Sequence, residues 1–246
     1  MIRAWRQHPV AVASAAVVLV SASLYMLLTL PTTTRQGVNY QVSSYRIPLY
    51  AKAIGFLQRD VEYKRLVKTI CAGETTDVGR VLAIFDWTHE HIPRTPEGST
   101  IIDDHPLNIV LRGHGMDDQI ADVFVTLSEY AGAPAFFKVL REPGPDRQLV
   151  LSFVRVGGRW TVFDVRRHIA FRNRRGELAT VDDLVADMAL VDEQANGVRV
   201  SGVPYARFIS REQLLPFVVP RPIRATLQRP WPRLVHELRR AVGREG

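Results

Sequence analysis

The side chains able to do chemistry concentrate in two short stretches of the chain. The first is a loop that carries His105 and His114 and runs directly into the carboxylates Asp117 and Asp118. The second is the strand-like segment that ends at Asp164. A histidine within hydrogen-bonding reach of a carboxylate can perform general acid–base chemistry. These residues are therefore the candidates for a site, provided that the fold brings them together.

The sequence contains few residues that could support thiol or metal chemistry. Cys71 is the single cysteine, so an internal disulfide is impossible, and its apolar neighbours predict a packed position in a helix. The His89-Glu90-His91 stretch resembles a metal-binding fragment, but positions i and i+2 of a helix do not face one ligand. Gly113-His114-Gly115 is too short for a phosphate-binding loop. The sequence therefore predicts neither a metal nor a cofactor.

Helices come first among the elements that must position these residues. Apolar residues at helical spacing predict one helix over 48–72 and a second, capped by Thr75 or Thr76, that ends near Ile92. Residues 94–116 are rich in Pro, Gly, Asp and His and predict a long loop. A third helix starts near Asp117 and buries one face.

Strands follow the third helix. They are predicted over 135–140, 149–156 and 159–165, and Gly157-Gly158 suits a two-residue hairpin turn between the last two. In that register paired residue numbers sum to 315, so Leu149 lies diagonally beside Asp164 on one sheet face. Helices followed by an antiparallel sheet indicate an α+β fold.

Three stretches together resemble the transglutaminase-like superfamily. They are TTDVGRVLAIFDWTHEHI, RGHGMDDQIADVFVTLSEYAGAPAFFKVL and LVLSFVRVGGRWTVFD, and with the intervening chain the resemblance covers residues 48–185. It implies a transglutaminase-like, papain-like α+β fold in which helices pack on an antiparallel sheet. The enzymes of this family use a cysteine at a helix N-terminus, a histidine on one strand and an aspartate on the next.

The resemblance places these three catalytic positions at Asp117, Leu149 and Asp164. A shift of one residue would place the cysteine position at Met116, which is not a thiol either. Both the thiol and the imidazole are absent, which indicates a non-catalytic member of the family. We expect Asp117 to cap its helix and Leu149 to pack into a closed site. We expect Asp164, which lacks its usual partner, to pair with one of three arginines, which are Arg112, Arg166 and Arg167.

The N-terminal segment predicts a membrane anchor, and the alternative is a cleaved signal peptide, whose apolar region is usually about 7–15 residues long and ends at an A-x-A-like site. Residues 9–30 form an apolar run without a charge, long enough to span a bilayer as one helix. Arg3 and Arg6 precede it, which favours a cytoplasmic N-terminus and an extracytoplasmic main domain. The predicted organisation is anchor 1–31, linker 32–45, transglutaminase-like domain 46–215 and a basic, Pro-rich extension 216–246 that ends in a helix.

Three functions remain open at this level. The first is a non-catalytic binding or scaffold module of the cell envelope that holds a peptide, a glycan or a partner protein. The second is a hydrolase or acyltransferase with a site rebuilt from Asp117, Asp118, His105 or His114. The third is a membrane assembly protein that uses its basic tail from Arg221 onward, since the net charge is +7. Nucleic acid is not an expected partner of an extracytoplasmic domain.

Overall fold

The computed structural model describes residues 9–38, 41–99, 103–144, 147–241 and 243, and it divides into two compact units, Met1–Gln58 and Arg59–Gly246. In the first unit, helix α1 (Pro9–Thr29) agrees with the predicted apolar helix. Its segment Val10–Thr29 has a mean hydropathy of 2.2, so α1 is long and apolar enough to cross a bilayer. Arg3 and Arg6 lie outside the described residues.

The predicted linker contains regular structure. Strands β1 (Pro31–Val38) and β2 (Gln41–Pro48) pair antiparallel, from Pro31 opposite Pro48 to Val38 opposite Gln41. Three consecutive threonines in β1 and the Val, Tyr and Ile of β2 supply the β-branched and aromatic residues that strands prefer. The unit boundary also lies at Gln58–Arg59, inside a helix, and not at the predicted 45–46 junction.

Helices α2 (Leu49–Ile70), α3 (Asp77–His91) and α5 (Asp117–Tyr130) match the three predicted helices closely. Thr76 caps α3, because its Oγ1 accepts a hydrogen bond of 3.0 Å from the backbone N–H of Gly79. The predicted loop over 94–116 is wrong in one part, since Pro106–Arg112 forms helix α4. Proline is favoured in the first turn of a helix because its missing N–H needs no partner there.

A four-stranded antiparallel sheet follows, with strands in chain order: β3 (Ala135–Arg141), β4 (Gln148–Val156), β5 (Arg159–Asp164) and β6 (Ile169–Ala170). The predicted hairpin register is confirmed, with Ser152 opposite Phe163 and Val156 opposite Arg159. Gly157 and Gly158 both have positive φ, which the two-residue turn requires. The remaining short elements are α6 (Val181–Ala186), α7 (Ala189–Gln194), β7 (Arg199–Val200), β8 (Val203–Pro204) and α8 (Arg211–Leu214).

The two faces of the sheet are covered by different cores. Val154 and Phe163 project toward α5, where Phe124 meets both Phe85 and Phe163 with ring centroids 5.9 and 5.3 Å apart. Alternate residues of the strands, such as Leu151, project to the other face and into a second apolar cluster built by the chain after β6. Helix α5 is thus the element that joins α3 to the sheet.

The first part of the predicted C-terminal extension packs along α5. Arg224 Nη2 lies 3.1 Å from Asp122 Oδ2, and Arg229 Nη1 lies 3.8 Å from Glu129 Oε1. The Tyr130 hydroxyl donates a 2.9 Å hydrogen bond to the carbonyl of Gln228. The chain then forms the last helix, α9 (Pro230–Ala241), at the end of the extension, and Val242 and Arg244 lie outside the described residues.

This packing makes stability depend on pH. Burial raises the pKa of Asp122 from 3.8 to about 6, although Arg224 opposes the rise. Since the folded chain keeps this proton to a higher pH than the unfolded chain, the contribution of Asp122 to stability is greatest below pH 3.8 and falls as the pH rises toward 6. We expect Asp122→Asn to remove a pH-dependent loss of about 3 kcal/mol between these values.

Chemical denaturation of the full chain in mild detergent, repeated across this pH range, measures the effect. Asp182→Asn, which changes an exposed aspartate of α6, is the matched control and should follow the unmodified protein. An Asp122→Asn variant whose stability falls with pH as steeply as that of the unmodified protein would contradict the prediction.

Candidate functional site

The candidate site lies where α5 begins and β5 ends. Met116 is the N-cap residue of α5, so the predicted cap Asp117 is in fact the first residue of the helix. The capping hydrogen bond comes from Gln119, whose Oε1 accepts from the backbone N–H of Met116 at 3.0 Å. Asp117 still lies in the first turn, where the helix dipole stabilises negative charge.

Asp164 is the most buried charged residue of this region, with 0% of its surface exposed. Its Oδ1 accepts a hydrogen bond from the backbone N–H of Arg167, and its Oδ2 is 3.0 Å from Arg167 Nη1. The hydroxyl of Tyr205 donates a third hydrogen bond, of 2.9 Å, to Oδ2. Burial raises the pKa of Asp164, while Arg167 and these hydrogen bonds oppose the rise. The carboxylate is therefore fully partnered.

Of the three predicted partners of Asp164, Arg167 forms the ion pair. Arg112 turns instead to the start of α5, where it donates to the carbonyls of Asp103 and His114 and to Gln119 Oε1. This network anchors the loop before α5. The guanidinium of Arg112 thus holds the backbone that presents Asp117.

The same guanidinium of Arg167 also reaches the head of α5. Its Nη2 lies 3.7 Å from Asp117 Oδ2, so one cation spans the two carboxylates at the positions that the resemblance aligns with the catalytic cysteine and aspartate. Two further arginines approach Asp117 Oδ1, Arg166 at 3.6 Å and Arg94 at 3.9 Å. We call these three arginines and two aspartates the arginine-bridged site.

Leu149 has no part in these ion pairs. It is 0% exposed, lies opposite Leu140 in the sheet and belongs to the second apolar cluster with Leu151 and Phe171. The confirmed register keeps it on the sheet face of Asp164, as predicted. Apolar side chains therefore surround the position at which the family's enzymes carry an imidazole.

The structure gives the other predicted polar residues structural contacts. His105 caps α4, with Nδ1 accepting from the backbone N–H of Leu107 at 3.3 Å. Burial, together with the nearby charge of Arg59, lowers the pKa of His105 to about 4. His114 Nδ1 lies 3.2 Å from Thr95 Oγ1. Asp118 is exposed, and its Oδ1 accepts from the N–H of the next residue. Within the described part of the chain, neither histidine bonds to an acid of the site.

The single thiol lies elsewhere. Cys71 follows the last residue of α2, is half-buried, and its Sγ lies 3.7 Å from the carbonyl oxygen of Arg80. Burial raises the pKa of this thiol, which makes it less reactive at neutral pH. Among the residues that the structure describes, no group of three or more His, Cys, Asp or Glu side chains is placed to hold a metal ion.

Two residues that contact the aspartates of the site were not predicted. Tyr205 stands 41 residues beyond Asp164 in a short 3₁₀ turn, and a lone tyrosine in such a segment carries no sequence signal. Arg94 follows Ile92-Pro93 and reaches the site because the chain there pairs with Gly115. The short bridge between Arg94 and Gly115 could be inferred only once α3 and α5 are known to be neighbours.

Comparison with known proteins assigns the class of the domain. Residues 64–165 match the family model described as the Transglutaminase-like superfamily, so the chain carries a transglutaminase-like domain. The match contains the aligned positions Asp117, Leu149 and Asp164. No curated protein is significantly similar to this chain.

Three solved structures resemble parts of the chain. A candidate cysteine protease from Cytophaga hutchinsonii is 19% identical over 61% of this chain and 57% of its own, with a TM-score of 0.40. A candidate protease from Parabacteroides distasonis is 14% identical over 54% and 35%, with a TM-score of 0.33. A structure named as a TGase is 12% identical over 54% and 43%, with a TM-score of 0.37. The chain therefore spans 57% or less of the length of each of these three structures.

The surroundings of Asp117 predict the behaviour of a thiol placed there. In a Cys71→Ala background, we expect Asp117→Cys to create a thiol with a pKa of about 6 to 7, because the helix N-terminus and three arginines stabilise a thiolate. The rate of alkylation by iodoacetamide as a function of pH measures this pKa. Asp118→Cys, at the next and exposed position, is the control. A thiol from Asp117→Cys that titrates no lower than the control would show that the arginines do not act on this position.

Proposed function

We propose that this chain is a membrane-anchored, non-catalytic transglutaminase-like domain that works as a binding or scaffold module in the cell envelope. One observation carries the proposal: the Arg167 guanidinium spans Asp117 and Asp164, where an acyl-transfer enzyme needs a thiolate, an imidazole and an orienting carboxylate. A carboxylate engaged by guanidinium groups is a weak nucleophile. The retained aspartate has no imidazole to orient.

The apolar packing around Leu149 supports the same conclusion. An imidazole at this position would have to share the second apolar cluster with Leu151 and Phe171, and the core residues there are packed to exclude water. The loss of the histidine is thus accompanied by a closed core. Restoring a working histidine at position 149 would therefore require more than one substitution.

The geometry gives less support to a rebuilt hydrolase. That alternative needs a histidine within hydrogen-bonding reach of an acid in the site. His105 instead caps α4 and His114 instead contacts Thr95, both through Nδ1.

The alternative based on the basic tail is weakened as well, because Arg224 and Arg229 pair with Asp122 and Glu129 of the same chain.

Guanidinium groups are what the site offers to a ligand. The side chains of Arg94 and Arg166 are 60% and 37% exposed. The Nε atom of each lies more than 3.5 Å from Asp117 Oδ1, so both guanidinium groups can donate hydrogen bonds to a second acceptor. Arginine matches carboxylates through paired hydrogen bonds. The ligands that fit the proposal are therefore peptides, glycans or envelope proteins that present carboxylates.

Anchoring rests on α1. The 20 residues Val10–Thr29 of α1 carry no charge and are long enough to span the hydrocarbon layer, and an N-terminus that carries Arg3 and Arg6 favours the cytoplasmic side. The transglutaminase-like domain would then lie outside the cytoplasm, attached through the β1–β2 hairpin.

Assays of thiol chemistry test the proposed loss of catalysis. We expect the full chain in detergent to incorporate no fluorescent amine into a glutamine-containing protein and to hydrolyse no fluorogenic peptide. Its rates should equal those of Cys71→Ala and Asp164→Ala, with folding of each variant checked by circular dichroism. Turnover that Asp164→Ala abolishes while Cys71→Ala retains it would show that the aspartate still serves a catalytic site.

A further inference from the structure

Helix α9 presents an apolar face to solvent. Trp231, Leu234 and Leu238 recur at i, i+3 and i+7 and therefore share one side of the helix. Trp231 is 72% exposed, Leu234 49% and Leu238 57%. Isolated exposed apolar residues are common on proteins, but three adjacent large ones on one helix face indicate a surface that another apolar phase covers.

The opposite side of α9 is basic. Arg233 and Arg240 lie about 160° and 180° around the helix axis from Trp231, and their side chains are 46% and 64% exposed. Arg239 lies at the border of the apolar face and is exposed as well. Glu237 is the single acidic residue of the helix, so α9 carries more positive than negative charge.

We propose that α9 lies in the interfacial layer of an anionic lipid bilayer, with Trp231, Leu234 and Leu238 inserted among the acyl chains. Tryptophan and leucine on one face and arginine on the other are the composition of helices that bind the membrane surface. The basic residues complement anionic headgroups, which a purely apolar protein groove would not require.

Two features of the chain favour a bilayer over another occupant. The proposed anchor α1 holds the whole chain at a membrane, which raises the effective concentration of lipid near every exposed surface. The segment before α9 is attached to α5 through the ion pair of Arg224 and Asp122, so the start of α9 is held at one place on the domain. This inference uses the proposed anchor and is independent of the loss of catalysis.

Depth-dependent quenching of a fluorophore tests the proposal with the full chain in nanodiscs. Leu234→Cys in the Cys71→Ala background carries the environment-sensitive dye, and the lipid is three parts phosphatidylcholine to one part phosphatidylglycerol with a nitroxide on the acyl chain. We expect at least about a twofold loss of fluorescence on adding the nitroxide lipid. The same dye on Arg240→Cys, on the opposite side of α9, should lose much less.

Reversing the charge of the α9 arginines is the second part of the experiment. Arg233→Glu, Arg239→Glu and Arg240→Glu combined should remove the quenching at Leu234→Cys, as should nanodiscs of phosphatidylcholine alone at high salt. Arg233 and Arg240 pair with Glu237 on the surface of α9, and exposed ion pairs contribute about 1 kcal/mol or less, so the variant should keep its circular dichroism spectrum and lose little thermal stability. Equal quenching at the Leu234→Cys and Arg240→Cys positions, or no quenching at either, would overturn the proposal. Energy transfer between α9 dyes on two copies, without lipid quenching, would overturn it in favour of a self-association surface.

Discussion

The arrangement of the site depends on one buried carboxylate that must have a cationic partner. Asp164 is fully buried, and an isolated charge in such a position would destabilise the fold by several kcal/mol. Arg167 supplies the charge through its guanidinium and a hydrogen bond through its backbone, while Tyr205 completes the shell. Because Arg167 comes three residues after Asp164, the turn that ends β5 is shaped around this pair.

The second role of Arg167 follows from that placement. Its free edge points to the head of α5, and Asp117 complements both the guanidinium and the helix dipole. The charges that would lower the pKa of a thiol in an acyl-transfer enzyme stabilise a carboxylate here. The ring contacts of Phe124 with Phe85 and Phe163 hold α5 on the sheet without using the catalytic position at its first residue.

Sequence patterns predicted the elements whose signals are local and strong. The apolar periodicity of α5 and the Gly157-Gly158 turn were sufficient for the helix and for the hairpin register, and that register placed Leu149 and Asp164 on one face. The family resemblance then identified Asp117 as the residue at the head of α5. Its role as the cap was wrong by one position, because Gln119 satisfies the N–H of Met116 from within the helix.

Long-range pairings could not be predicted in the same way. Three arginines were equally plausible partners of Asp164, and only the turn geometry selects Arg167. The attachment of Arg224 to Asp122 joins residues about a hundred positions apart, and nothing in the local sequence of a Pro-rich basic tail indicates it. Helix α4 was missed because a helix of seven residues that begins with a proline is too short for a periodic pattern to stand out in a polar segment.

A double-mutant cycle measures the central interaction directly. Arg167→Met, Asp164→Asn and the combined variant are compared with the unmodified chain by chemical denaturation in mild detergent. If the arginine compensates the buried carboxylate, Arg167→Met alone should destabilise the fold by about 3 to 5 kcal/mol, and Asp164→Asn should recover at least about 2 kcal/mol of that loss. Effects that add within about 0.5 kcal/mol would show that the two residues are not coupled, and the account of the site would then fail.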